Sequence, residues 1–169
     1  MFIINKITQV YNRVEDRIRI DIENSEGEAT SLWLTQLMTN SLAATLIKKL
    51  DDASKEKVKG QLTSGIQSIE QSIAQASFKP TKPVNPVKAK EVFLVHAISL
   101  KSTETGYLLA FKWGESGEAS LGIKSVQTRQ WLMIIHRLTK TAGWNQDVWP
   151  GWLLGDDLIY KNTQTGNMH

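Results

Sequence analysis

Three histidines are the side chains best suited to transfer protons or bind a metal near neutral pH, but they are scattered along the sequence. His96 has apolar residues two positions away on either side, so we expect a core or partly buried strand histidine with one backbone partner. His136 shares a helical face with Arg129 and Lys140, which favours a solvated basic face. His169 ends a polar tail. We therefore predict no catalytic residue, no metal ligand and no cofactor.

Two pairs of adjacent carboxylates, Asp51-Asp52 and Asp156-Asp157, are the other candidates for chemistry. Adjacent side chains on a helix or strand point to different sides, so neither pair presents both carboxylates to one substrate. We interpret the first pair as the end of one helix and the start of the next. A loop at the second pair would have to recruit about four more oxygen ligands to hold a divalent cation.

The composition excludes further classes of chemistry. The chain has 169 residues and no cysteine, which rules out disulfides and thiol nucleophiles and is typical of a reducing compartment. Its net charge of +3 gives no dense positive field. No apolar run approaches the roughly 20 residues of a membrane helix, and no signal-peptide pattern is present. We therefore expect a cytoplasmic protein that neither contacts a membrane nor acts on a small-molecule substrate.

The elements that must position any site begin with a module at residues 1–53. Its apolar alternation and β-branched residues predict three strands, at 2–11, 17–23 and 29–34. Thr35 then has the position of a helix N-cap. Apolar residues recur at every fourth position from Met38 to Leu50, which predicts an amphipathic helix.

A narrower apolar stripe and a proline-rich connector occupy residues 54–90. Val58, Leu62, Ile66, Ile69 and Ile73 recur three or four residues apart among polar residues between 54 and 77. This spacing is typical of a coiled-coil seam or of a helix that touches its support along one line. We therefore predict a long helix in which Val58, Leu62, Ile69 and Ile73 contact a second copy of the chain or a partner protein. Three of the four prolines lie between 79 and 90, which predicts a semi-rigid connector.

Residues 91–143 repeat the order of the first module. Strands are predicted at 92–100, 107–113 and 119–123, followed by a helix that Ser125 caps and Gly143 ends. A shift of 90 residues aligns Gly27-Glu28-Ala29-Thr30 with Gly117-Glu118-Ala119-Ser120. The predicted fold is α+β, with two βββα modules and antiparallel sheets in one domain, related by internal duplication. The other interpretation is that hairpins followed by helices are common in α+β proteins.

One strand face carries large aromatic residues, Tyr107, Phe111 and Trp113. With Lys101 and Lys112 nearby, these residues would form a stacking platform for single-stranded nucleic acid. A sheet also buries such residues beneath a helix, and we favour this core interpretation. Trp33 and Trp131 are predicted to be core residues by the same argument.

The C-terminal segment, residues 144–169, contains Trp144, Trp149 and Trp152. Tryptophan is enriched at the centres of protein interfaces because it buries a large area with little loss of rotamer freedom. The segment therefore either covers an exposed edge of the core or docks on a partner, and the sequence favours neither.

The stretch Leu32-Trp33-Leu34-Thr35-Gln36, which leads from a hairpin into a leucine-rich helix, resembles a family of small proteobacterial proteins without an established activity. The helix that ends in Ala142-Gly143-Trp144 adds to this resemblance, which covers most of the chain and implies no site. In topology alone, the prediction is similar to Whirly and PUR-repeat proteins, which duplicate a sheet-plus-helix unit and bind single-stranded nucleic acid. Their units have four strands, whereas three are predicted here.

These observations favour a non-enzymatic interaction or assembly protein that associates with itself or with a protein partner. The alternative is a protein that binds single-stranded nucleic acid through the aromatic strand face and its lysines.

Overall fold

The structure, a computed structural model, describes residues 1–58, 62–86 and 89–154. Within these ranges the α+β class is confirmed. The strands are β1 (Phe2–Ile3), β2 (Lys6–Asn12), β3 (Arg17–Glu23), β4 (Ala29–Leu34), β5 (Val92–Ser102), β6 (Gly106–Trp113) and β7 (Gly117–Lys124), and the helices are α1 (Gln36–Lys57), α2 (Thr63–Ala76) and α3 (Ser125–Ala142). Asp156, Asp157 and His169, for which predictions were made above, lie outside the described residues.

The strands form one mixed sheet in the order β1-β7-β6-β5-β4-β3-β2. β4 runs parallel to β5 and β1 runs parallel to β7, whereas the other neighbouring strands are antiparallel. The prediction of purely antiparallel sheets is therefore wrong. A parallel pair requires a long crossover, and the segment through α1, α2 and the connector supplies it between β4 and β5.

The sheet curls until its two edges meet at Ile4 and Asn5. β1 and β2 lie on opposite edges of the sheet, yet only these two residues separate them. Consecutive Cα atoms are about 3.8 Å apart, so the edges are necessarily close. The Ile4 N–H donates to the Ser120 carbonyl at one edge, and the Asn5 N–H donates to the Glu23 carbonyl at the other, both at 2.8 Å. Ile4 and Asn5 thus link the β1–β7 edge of the sheet to its β2–β3 edge.

The core lies on the inner face of this curled sheet and beneath the helices. Both halves of the chain contribute to it, because the buried residues of β3 and β4 form one cluster with those of β6, α1 and α3. The first half has four strands before its first helix and the second half has three, and each parallel pairing joins the last strand of one half to the first strand of the other. The buried residues of the two halves form one core.

The helix boundaries correct three predictions. α1 continues through Asp51-Asp52 to Lys57, so the predicted helix break at these two residues is wrong. Asp52 instead forms an i,i+4 ion pair with Lys48 at 2.7 Å within the helix. The helix predicted over 54–77 begins only at Thr63. α3 begins at Ser125, but its N-cap is Lys124, whose N–H donates to the Gln127 side chain.

Two predicted helix ends are confirmed. The Thr35 hydroxyl accepts a hydrogen bond from the Met38 N–H at 3.2 Å, which satisfies one donor in the first turn of α1. Gly143 ends α3 in the left-handed region, with φ of 72°, where glycine carries no steric penalty.

Replacing Thr35 by alanine removes the N-cap acceptor, so we expect Thr35→Ala to lower the free energy of unfolding by about 1 kcal/mol in urea titrations. Thr45→Ala is the control, because Thr45 is exposed in the middle of α1 and alanine is the better helix former. Equal losses in the two variants would contradict the capping role.

Candidate interaction surface on α2

α2 packs against the rest of the protein through polar residues. Gln67 and Gln71 are fully or almost fully buried, together with Ala74. The helix lies between α1 and α3, and these glutamines face both neighbours. This orientation is the reverse of an ordinary amphipathic helix, which turns its apolar side to the core.

The guanidinium of Arg129 on α3 explains why glutamines face inward. Arg129 is only 3% exposed. Its Nη2 donates to Gln67 Oε1 and to Glu70 Oε2, and Gln71 Nε2 donates back to the Arg129 carbonyl at 3.2 Å. Burial lowers the pKa of Arg129, while the Glu70 carboxylate acts in the opposite direction. A buried charge requires such partners, and one face of α2 supplies them.

The network extends to both neighbours of α2. Gln67 Nε2 donates to Asp51 Oδ1 on α1 at 2.7 Å, so a single side chain links α1, α2 and α3. The indole of Trp152 lies 5.3 Å from the Arg129 guanidinium carbon and adds a cation–π contact. The polar face of α2 is therefore fixed from two sides.

The opposite face of α2 exposes Ile69 and Ile73 together with the N-cap residue Leu62, whereas Ile66 is partly buried. We call this face the α2 stripe and define it as Leu62, Ile66, Ile69 and Ile73. Leu62, Ile69 and Ile73 are 67%, 61% and 59% exposed. Each forgoes about 1.5–3 kcal/mol that full burial of such a side chain provides. Since the residues recur at helical spacing, the exposed side chains form one continuous line.

The residues of α2 beside the α2 stripe are mostly small and uncharged. Glu70 is the one charged residue of α2, and its carboxylate is held by Arg129 and by Lys57 at 3.6 Å. The hydroxyls of Ser68 and Ser72 donate to backbone carbonyls of the same helix. The exposed side of α2 therefore presents apolar and small polar groups, with the Glu70–Lys57 ion pair at one border.

Gly65 adjoins the α2 stripe without a structural need for glycine. A Cβ built at Gly65 meets no atom within 4 Å, so packing within the chain leaves room for a side chain. Glycine inside a helix costs about 1 kcal/mol relative to alanine. This arrangement would suit the close approach of a second helix.

The other predicted interface residues lie elsewhere. Val58 is the C-cap of α1, in an extended conformation, and is not part of the α2 stripe. Trp144 and Trp149 are buried within their own chain. Trp144 Nε1 donates to Asp16 Oδ1 at 2.9 Å, and its ring lies edge-to-face with Tyr11. Of the two interpretations of this segment, the structure places residues 144–154 on the core.

The burial predicted for His96 and for His136 is wrong in both cases. His96 is exposed, although its Nε2 contacts the Gly114 carbonyl at 3.1 Å, which is the single backbone partner expected. A register shift between Val95 and Ala97 takes His96 out of the regular ladder. His136 is buried because Trp149 packs against its ring at 5.1 Å.

The aromatic strand face belongs to the core. Tyr107 and Phe111 are buried, and burial raises the pKa of Tyr107. Trp113 is partly buried and stacks on Phe93. Exposed Lys112 lies on the opposite face of β6, because successive side chains alternate across a strand.

Lys101 is also exposed and pairs across from Leu108 on the outer face of the sheet, so the aromatic residues and the lysines share no surface. Trp131 is buried as predicted. Trp33 is only partly buried, because it faces outward opposite Arg19 and Leu94.

Comparison with known proteins adds no identity to this geometry: no family model, curated protein or solved structure matches the chain. Within the described ranges, no three His, Asp or Glu side chains are grouped so that they could hold a metal ion. The helices in those ranges include none that is long and apolar enough to cross a bilayer.

The Arg129 network predicts the effect of removing its carboxylate. We expect Glu70→Gln to lower the free energy of unfolding by about 1–3 kcal/mol, because the buried Arg129 keeps its charge but loses its carboxylate partner. The partial exposure of Glu70 to solvent limits this loss. Urea titration measures the change, and Glu56→Gln on the exposed side of α1 is the control. If Glu70→Gln is as harmless as the control, Glu70 does not stabilise the buried guanidinium.

The contact between Asp16 and Trp144 predicts a pH dependence. Hydrogen bonds from Trp144 and Tyr11 lower the pKa of Asp16 below its ordinary value of 3.8. The Asp16 carboxylate therefore contributes its full stabilisation of the folded state above pH 3.8. This contribution is lost as the pH falls through the lower pKa that Asp16 has in the folded state.

We expect Asp16→Asn to be less stable than the unaltered protein near neutral pH, with the difference shrinking below about pH 3. Asparagine also tolerates the positive φ of 48° at this position, so the backbone is not a confounding factor. Thermal unfolding across this pH range measures the difference, with Glu104→Gln as the exposed control. A difference that does not change with pH would contradict the role of the Asp16 charge.

Proposed function

We propose that this chain is a non-enzymatic interaction protein whose α2 stripe binds a helix of another protein molecule. The observation that carries the proposal is the orientation of α2, with buried glutamines on one side and exposed isoleucines on the other. Contiguous exposed apolar surface is uncommon on monomeric proteins and marks interaction sites. A partner that covers the α2 stripe would recover the burial that the fold forgoes.

The spacing of the α2 stripe indicates the shape of the partner. Steps of four, three and four residues from Leu62 to Ile73 match the seam between two packed helices. The partner is therefore a helix with a similar seam, either from a second copy or from a different protein. Four side chains cover less than the roughly 1,200 Å² of a stable interface, so the contact is weak and reversible unless neighbouring surface joins it.

Nucleic acid is the less favoured partner. The alternative depends on Tyr107, Phe111 and Trp113 as stacking groups, and these residues lie in the core or against Phe93. Lys101 and Lys112 could still attract phosphates, but without stacking such binding would be non-specific and strongly salt-dependent.

We also infer that the two halves of the chain arose by duplication of a βββα module. The shared order of elements and the reciprocal parallel pairings, β4 with β5 and β7 with β1, support this origin. The resemblance to small proteobacterial proteins belongs to the same proposal and adds no activity.

Polar substitution of the α2 stripe tests the proposed contact. We expect the double variant Ile69→Ser, Ile73→Ser to lose this contact. If the partner is a second copy, the variant should show no concentration-dependent association in sedimentation; if it is a different protein, the variant should no longer capture it. Its stability should change little, because both side chains are mostly exposed and serine and isoleucine have similar helix propensities. Leu37→Ser is the matched control, since Leu37 is an exposed aliphatic residue on α1.

Gly65→Ala gives a second and opposite test. We expect it to raise the free energy of unfolding by up to about 1 kcal/mol while weakening association, because the added methyl group keeps the second helix at a distance. A chain that stays monomeric and captures no partner through the α2 stripe would contradict the proposal.

A further inference from the structure

A half-open cavity of about 690 Å³ lies between the edges of β2 and β7. Consecutive residues of both strands line it, 4–9 on one side and 121–123 on the other. Because successive side chains point to opposite faces, a cavity lined by consecutive residues runs along the strand edges. It is therefore a gap in the wall of the curled sheet, and we call it the sheet gap.

The sheet gap follows from the way the sheet closes. β1 pairs with Ala119 and Ser120, and the remainder of β7 has no strand on that side among the described residues. The chain leaves β7 after Ile4, and β2 pairs with β3 instead. α3 forms the floor of the gap through Trp131 and Ile134, and connector residues 78–83 form its outer wall.

The connector is fastened at both sides of the sheet gap. The Val84 N–H donates to the Thr8 hydroxyl at 2.9 Å, and Val84 is buried. Gln130 Nε2 on α3 donates to the Ser77 hydroxyl at 3.3 Å, directly before the connector residues that line the gap. The wall is thus held in place, and the space behind it is part of the fold.

The lining combines an apolar interior with cationic and amide groups. Ile4, Ile7, Leu121 and Ile123 face the space together with the α3 floor. Among the described residues that line the gap, the charged ones are Lys6 and Lys79, and none is acidic. Lys6 is engaged by Glu23 at 3.3 Å, which leaves Lys79 as the main source of positive charge for an occupant.

Gln9, another residue of the lining, carries a donor that no described residue accepts. Its Nε2 is buried and has no hydrogen-bond partner among the described residues. An unpaired buried donor costs about 1–3 kcal/mol, so an acceptor brought by a ligand would be favourable here.

Gly122 lies in the middle of β7, on the wall of the sheet gap, without a structural need for glycine. Its φ is not positive, and a Cβ built there meets no atom within 4 Å. Glycine inside a strand weakens it and is found where a ligand or another backbone approaches closely. This position therefore points to an occupant independently of the cavity volume.

We propose that the sheet gap binds a small, mainly apolar molecule that carries a carboxylate, such as a medium-chain fatty acid. The cavity volume lies within the roughly 300–1,000 Å³ of small-molecule sites. The aliphatic residues and Trp131 bury the apolar part of the ligand, and the exposed Lys79 at the connector attracts its carboxylate. This site is separate from the α2 stripe, and its occupancy does not depend on a protein partner.

Isothermal titration of the full chain with decanoate and with decanol tests the proposal. We expect one molecule of decanoate to bind per chain, with decanol at least tenfold weaker because it lacks the charge. Lys79→Gln should remove most of this difference. Equal affinity for the two probes, or no binding of decanoate, would overturn the proposal.

Gly122→Val narrows the sheet gap without a clash in the fold, and valine favours strands. We expect at least tenfold weaker binding of decanoate with an unchanged or higher Tm. Ser99→Val, at an exposed position on β5, is the control and should bind normally. Unaltered binding by Gly122→Val would place decanoate elsewhere and overturn the assignment.

An extended peptide that pairs with the free edge of β7 is the competing occupant. A synthetic peptide with the sequence of residues 2–6 reports on it, because part of this segment already pairs beside β7. Binding of this peptide in place of decanoate would overturn the small-molecule assignment, whereas decanoate binding without peptide binding supports it.

Discussion

The buried guanidinium of Arg129 determines how α2 lies on the protein. Removal of a charge from water costs several kcal/mol unless nearby groups compensate for it. Gln67 and Glu70 on α2 provide that compensation, so this face of the helix turns inward. The aliphatic face is then left in solvent, because both faces of one helix cannot contact α3. One polar interaction therefore accounts for the exposed α2 stripe.

A second constraint is the link at Ile4 and Asn5. These adjacent residues hydrogen-bond to opposite edges of the sheet, so the sheet is closed at one point and open beside it. The closure joins the two halves into one core. The opening produces the sheet gap, which α3 and the connector enclose. Thus both candidate surfaces are consequences of how elements from the two halves meet, and neither follows from a local motif.

The sequence predicts what depends on neighbouring residues and misses what depends on distant ones. Alternation at Ile18, Ile20 and Ile22, the cap at Thr35 and the stop at Gly143 are local signals, and the structure contains them. The parallel pairings depend on long-range contacts that no pattern encodes. The sequence predicts a solvated basic face that includes Arg129 and His136. This prediction is wrong because the residues that bury these two side chains lie elsewhere in the chain. The aliphatic spacing of α2 and its proposed use as a contact surface come from the sequence, but the buried polar network that holds the helix in this orientation does not.

Thiol reactivity tests the orientation of α2 most directly, because the chain has no cysteine and each introduced cysteine reports on one position. Ile69→Cys places a thiol on the α2 stripe, and Ala74→Cys places one on the inward face. With a thiol reagent at low protein concentration, we expect the cysteine at 69 to react like an exposed thiol. The cysteine at 74 should react only as the protein unfolds. The reverse order of reactivity would show an inward aliphatic face and contradict this account.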